Sequence, residues 1–155
     1  MRRFFWLSCL LLLVAGCNSG EKKTESFHHE FSKNAWLASE PVKFSFDVAD
    51  TTTLYSISGK LRYKNDFTFS ALHMSASLSS KDGSVRKKKI SLEIRNNDGE
   101  FNGTEKGDYR EISFNIISAV KFNETGQWTL LLIHDMPVDI NRGLEGIELN
   151  LNRAK

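Results

Sequence analysis

Between Val42 and Leu151 an apolar side chain recurs at every second position, run after run. Val42, Phe44, Phe46 and Val48 alternate with Lys43, Ser45 and Asp47. Tyr55, Ile57, Gly59, Leu61 and Tyr63 keep the same period, as do Leu72, Met74, Ala76 and Leu78. Ile90, Leu92 and Ile94 follow, then Ile112, Phe114 and Ile116, and Ile147, Leu149 and Leu151 close the chain. Trp128, Leu130 and Leu132 alternate too, with Leu131 and Ile133 adding apolar groups on the opposite face. A period of two puts each set on one side of a strand and leaves the other side wet. Turn signals separate the runs: Lys81-Asp82-Gly83, Asn96-Asn97-Asp98-Gly99, Asn102-Gly103 and Glu124-Thr125-Gly126. Pro41 and Pro137 sit at the margins of strand candidates, where a missing amide proton does least harm. No stretch beyond residue 26 sustains the 3.6-residue apolar stripe of a helix. The pattern predicts an all-β single domain of about seven or eight antiparallel strands, a sandwich or a barrel. Of these we favour a two-sheet β-sandwich, jelly-roll-like, with Trp128 in its core.

The start of the chain obeys a different rule. Arg2 and Arg3 precede an almost unbroken apolar run from Phe4 to Val14, followed by Ala15, Gly16 and Cys17. A positive start, a short apolar segment and small residues before a cut describe an export signal. The run is too short to span a ~30 Å hydrocarbon core, which takes roughly 20 residues. The cysteine directly after the small residues makes the segment resemble the bacterial lipobox. That resemblance implies cleavage between Gly16 and Cys17 and a thioether-linked diacylglyceride on the Cys17 sulfur. Acyl chains on one residue would then anchor the chain to membrane lipid. The expected organisation is a signal peptide over 1–16, a lipidated polar tether over 17–26, and the β-sandwich over 27–155. Cys9 would leave with the signal, so the domain would be held by packing and not by a disulfide.

Charge narrows the partners. The chain carries 21 basic and 19 acidic side chains, and Arg2 and Arg3 account for the excess, so the domain is neutral overall. A nucleic-acid partner, which needs a basic footprint, is not expected. Arg86-Lys87-Lys88-Lys89 is one local basic run, read here as a solvated guard on a sheet edge. His28 and His29 are adjacent, so a strand would point them to opposite faces. His73 falls out of phase with Leu72 and Met74, while His134 falls in phase with Leu130 and Leu132. No His-x-His, His-Glu-x-x-His or Cys-x-x-Cys spacing indicates a metal, and none is expected. The serines lack a Gly-x-Ser-x-Gly elbow, and Asp47, Asp50, Asp98 and Asp108 are not brought together by spacing. The reading is of a protein without catalytic residues or cofactor. One ligand-binding alternative stays open, a carbohydrate platform built from Trp36, Tyr63, Phe67, Phe69 and Phe101, against the more ordinary placement of such rings in a core.

Trp36 followed by Val42-Lys43-Phe44-Ser45-Phe46-Asp47-Val48-Ala49-Asp50, and then Leu61-Arg62-Tyr63-Lys64-Asn65-Asp66-Phe67-Thr68-Phe69-Ser70-Ala71-Leu72, form an ordered series. Asp98 to Gly103, Gly107-Asp108, Phe122 with Gly126, His134-Asp135-Met136 and Gly143-Leu144-Glu145-Gly146-Ile147-Glu148 continue it. In order, spacing and coverage this series resembles the gliding-motility lipoprotein GldH family of the Bacteroidetes. Phe101 stands where the family pattern has tryptophan, Thr68 where it has proline, and Thr104-Glu105-Lys106 fills a glycine-rich stretch. The resemblance implies a non-catalytic cell-envelope lipoprotein, and the only weakly acidic Asn18-Ser19-Gly20-Glu21 after Cys17 favours a periplasm-facing site on the outer or inner membrane. The resemblance also implies protein partners in the gliding and type IX secretion machinery.

Overall fold

The computed structural model describes residues 24–153. Cys17, Gly16 and the rest of the segment before residue 24 lie outside the described residues. The elements are β1 (Thr24–Glu30), a 3₁₀ turn (Ser32–Asn34), β2 (Ala35–Leu37), β3 (Val42–Val48), β4 (Tyr55–Tyr63) and β5 (Ala71–Ser80). β6 (Val85–Glu93), β7 (Thr104–Lys106), β8 (Tyr109–Val120), β9 (Gly126–His134), β10 (Ile140–Arg142) and β11 (Leu144–Arg153) complete them.

The pairings nest. β5 pairs with β6, β4 with β8, β3 with β9, β2 with β10 and β1 with β11, all antiparallel. The chain is thus one long hairpin whose tip is the turn between Ser80 and Val85, where Gly83 takes a φ of 96° that other residues rarely adopt. The hairpin is then rolled up. β11 pairs with β4 and β9 with β5, so successive rungs fall into opposite sheets. The first sheet has the order β1-β11-β4-β8-β7 and the second β3-β9-β5-β6, with β2 and β10 forming a small ribbon between them. This is the jelly-roll arrangement expected from the alternation.

The seven alternating runs become β3, β4, β5, β6, β8, β9 and β11, and their periodic residues make the core. In β3 the burial alternates without exception, Val42, Phe44, Phe46 and Val48 in and Lys43, Ser45 and Asp47 out. Trp128 is 2% exposed, packs on Phe122 at 4.7 Å between ring centroids, and donates its indole N–H to the Glu124 carbonyl at 3.3 Å. β8 departs from simple alternation. Tyr55 pairs with Val120, Ile57 with Ile117 and Ser58 with Asn115, so β8 carries two extra residues against β4. Phe114, Ile116 and Val120 are buried, whereas Ile112, in regular register with Leu61 and outside the bulged stretch, is only partly covered.

The domain also begins earlier than its polar composition indicates. Thr24, Glu25 and Ser26, assigned above to the tether, pair with Asn152, Leu151 and Asn150. The Thr24 and Ser26 hydroxyls donate to Asn152 Oδ1 and Asn150 Oδ1 at 2.9 and 2.6 Å. β1 is an edge strand with one wet face, and its covered face offers only Phe27 as a large apolar group, so no period announces it.

Gly59 marks the closest approach inside the first sheet. A Cβ there would lie 2.2 Å from Cζ of the Phe114 ring, which crosses β4 at that point. Gly59→Ala is expected to cost about 1–3 kcal/mol through overpacking, read from denaturant unfolding. Trp128→Ala is expected to cost about 3–5 kcal/mol as a large core truncation, and a loss below about 1 kcal/mol would refute its place in the core.

Candidate functional site

The aromatic platform does not exist as a surface. Trp36, Tyr63 and Phe67 are 1%, 0% and 0% exposed. Trp36 stacks on Phe31 at 5.0 Å and sends its N–H to the Glu40 carbonyl at 3.0 Å. The Tyr63 hydroxyl donates to the Asn102 carbonyl, and burial raises its pKa above the ordinary phenol value. Phe69 packs edge-on against Phe67 at 5.9 Å and is itself partly covered. Phe101 lies under the Arg95 guanidinium at 3.6 Å, with Arg110 at 5.6 Å. These rings plug the end of the sandwich where the β4–β5 loop meets the strand pair around Arg95 and Phe101. The carbohydrate alternative loses its contact surface to packing.

The histidines are dispersed. His73 is exposed on the outer face of β5, and His28 and His29 fall on opposite faces of β1 as adjacency requires. His28 meets Glu148 at 3.8 Å, and His29 sits edge-on to Phe31 at 5.2 Å. His134 is more deeply buried than a strand-end position implies, 4% exposed and edge-on to Trp36 at 5.4 Å. Neither of its ring nitrogens has hydrogen-bond geometry to a protein group, and the Asn141 amide, opposite Trp36 on the β2·β10 ribbon, is likewise unpartnered. Burial pushes the His134 imidazole below the ordinary histidine range, against weaker opposing pulls from the Trp36 backbone and Asp135. Among the described residues no group of three His, Cys, Asp or Glu side chains is placed to hold a metal ion.

The carboxylates singled out in the sequence are not brought together, and Asp50 and Asp108 are engaged by structural partners. Asp50 accepts the Thr52 hydroxyl at 2.7 Å, the Thr53 hydroxyl at 2.6 Å, the Thr52 amide at 2.8 Å and Arg153 at 2.9 Å. The Thr52 and Thr53 hydroxyls, then the Thr52 amide and Arg153, hold its carboxyl well below the usual carboxylate range. Asp50 ties the β3–β4 loop to the end of β11. Asp108 meets Lys64 at 3.3 Å, as does Glu145, and the two hold the Lys64 ammonium above its ordinary value.

Charge is distributed unequally over the two sheets, which sequence spacing does not reveal. On the outer face of the first sheet, cations sit beside anions on the neighbouring strand. Lys60 meets Glu148 at 3.7 Å, Arg62 pairs with Glu30, and Lys64 bridges Glu145 and Asp108. On the second sheet Lys43, Lys87 and Lys89 project from the outer face and Arg86 and Lys88 from the inner edge of β6, without ion pairs among the described residues. The basic run noted in the sequence therefore forms the first half of an edge strand, following Val85 in β6.

These features define a class: a jelly-roll β-sandwich carried behind a leader of lipoprotein pattern. The chain belongs to the GldH lipoprotein family, whose family model matches residues 24–149. The gliding motility lipoprotein GldH homolog of Christiangramia forsetii (strain DSM 17595 / CGMCC 1.15422 / KT0803) is similar, 26% identical over 151 residues that cover 95% of this chain and 93% of that protein. Among solved structures, the infectious bursal disease virus VP2 subviral particle aligns with a TM-score of 0.41 at 16% identity, over 84% of this chain and 32% of the viral chain. A structure of infectious bursal disease virus Gx strain aligns with a TM-score of 0.37 at 16% identity, over 84% of this chain and 30% of that chain. The chain spans about a third of the length of these viral chains.

The buried histidine gives a test of the site's electrostatics. Below about pH 6.5 the unfolded chain protonates this residue while the folded protein resists, so protons favour unfolding. Stability is expected to be full above that pH and to fall as the pH drops towards 5, before carboxylates titrate. Urea midpoints across that window should decline in the parent and flatten in His134→Leu.

Proposed function

We propose that this protein is a membrane-anchored cell-envelope lipoprotein that supports gliding motility. The observation that carries the reading is the family match over residues 24–149 behind the Arg2-to-Cys17 leader. A relative of similar length bearing the gliding-motility name supports it further. Cys17 is acylated after cleavage between Gly16 and Cys17, and residues 18–23 link the lipid to β1. The domain faces the periplasm and acts by contact with proteins of the gliding and type IX secretion machinery. Its role is non-catalytic, a reading supported by the commitment of Asp50 and Asp108 to structural partners and of the aromatic residues to the core.

Two experiments in a gliding host test this. Deletion of the gene is expected to abolish colony spreading and surface delivery of adhesins, and unchanged spreading would refute the motility role. Cys17→Ala is expected to move the protein out of the membrane fraction and remove the acyl mass from its N-terminal peptide.

A further inference from the structure

β6 is the terminal strand of the second sheet, and its only ladder is with β5. Beside it, across the open side of the sandwich, runs β8, whose residues from Ile112 to Val120 have a ladder on the β4 side only. A groove of about 500 Å³ lies between these two edges, floored by Ala76, Leu78, Ile116 and Leu130 and rimmed by Arg86 and Lys88. On the outer side of β6 a second trough of about 410 Å³ runs between Lys87 and Lys89 and the apolar pair Leu131 and Ile133, over the small Ser75 and Ser77. The groove floor belongs to the core, with Ala76, Leu78, Ile116 and Leu130 each at most 3% exposed.

Among the described residues the cations face no counter-charge. Their partners on β5 are Leu78, Ser77, Ala76 and Ser75, and the groove wall on β8 is Ile116, Ile117, Ser118 and Ala119. The carboxylates on this side are engaged or out of register. Asp135 accepts the Ser75 hydroxyl at 2.5 Å, Glu93 accepts from Asn102 at 3.3 Å, Asp82 lies in the hairpin tip, and Asp47 is on β3 at the opposite edge. Lys88 alone makes recorded bonds, from Nζ to the Ile116 and Asn115 carbonyls at 2.8 and 3.4 Å, bridging the mouth of the groove. Neutrality of the whole domain makes this concentration local, since Lys60, Arg62, Arg110 and Arg153 of the first sheet are paired, whereas among the described residues these have no ion pair.

We propose that β6 is a docking edge for an acidic polypeptide segment in extended conformation, added as a strand on the open side of the sandwich. Charge complementarity selects the occupant. Arg86 and Lys88 point to one side of the strand and Lys87 and Lys89 to the other, each pair repeating at about 6.6–6.8 Å, the two-residue rise of a strand. An extended chain lying along β6 presents its own side chains at that repeat and on both sides, while its backbone meets the free edge. A planar lipid surface reaches one of the two rows only. A second copy of β6 is repelled by four like charges, the usual protection of an edge against self-pairing. Phe27 packs on Phe46 and so places β1 over β3, at the edge of the second sheet opposite β6. The proposal deepens the reading of the domain as a protein-binding module by stating the chemistry of one partner.

The test is a titration of the full-length lipoprotein in neutral detergent micelles with an acetylated peptide of alternating glutamate and threonine. Fluorescence anisotropy reads affinity, and hydrogen exchange reads the β6 amides. Binding with new protection over residues 85–90, and affinity about tenfold weaker in Lys87→Gln/Lys89→Gln, supports the proposal. That double variant is the clean one, because those two side chains make no recorded bond, whereas Lys88 also bridges β8. A peptide with proline in place of every threonine keeps the charge and loses alternate amide donors. Equal binding of the proline peptide, no binding of either, or preferential binding of phosphatidylglycerol vesicles over the peptide would each overturn it. Any of those results in a protein that is lipidated and supports spreading leaves the motility reading intact; loss of that reading is seen in the deletion strain instead.

Discussion

The rest of the molecule depends on two ladders that join distant parts of the chain, β4 with β11 and β5 with β9. Without them the nested pairs would be a flat two-stranded ribbon with one apolar face exposed. With them the ribbon rolls, its apolar faces meet, and Leu61, Leu130, Leu132 and Leu149 come to 0% exposure. The transfer of those faces from water is the driving term, at roughly 25 cal/mol per Å² of apolar surface. The cost is non-local: Thr24 must find Asn152 across nearly the whole chain before β1 is secured.

Periodicity made the large elements legible because each has one face in the core and one in water. β3, β4, β5, β9 and β11 followed from this directly, down to the burial of Trp128 and the outward position of His73. The sequence was silent where burial is partial or short. Thr24 to Ser26 look like tether because their bonds are to Asn150 and Asn152 side chains and to backbone, neither of which leaves an apolar signature. β2, β7 and β10 are three residues each, too short for a period to register. The two bulges in β8 lie between Asn115 and Val120, where the run of Ile112, Phe114 and Ile116 gives no sign of them.

The candidate surface was legible only in part. Four successive cations at 86–89 are visible in any reading, and solubility explains such a run in most proteins. What the fold adds is the absence of facing carboxylates on β5 and β8 and the groove beside them, both of which depend on register. The aromatic residues teach the converse lesson. Trp36, Tyr63 and Phe67 fall outside the cleanest alternation or at its margin, which invited a surface role, yet the loops carrying them fold back as plugs. Arg95 and Arg110 then cover Phe101, so the end of the sandwich is closed by cation–π contact as well as by apolar packing.

The pairing of β1 with β11 has a mechanical consequence. β1 enters the sheet at Thr24, so any load arriving through residue 23 reaches the domain along the axis of that strand. Antiparallel hydrogen bonds lie across the strand direction. A pull along β1 therefore strains all of its register from Thr24 to Glu30 together, in shear, instead of peeling one bond at a time. The strand next to it, β11, is central and held on its other side by β4, so the load spreads into the sheet interior. A domain hung from its first strand in this geometry is suited to stay folded while force passes through it.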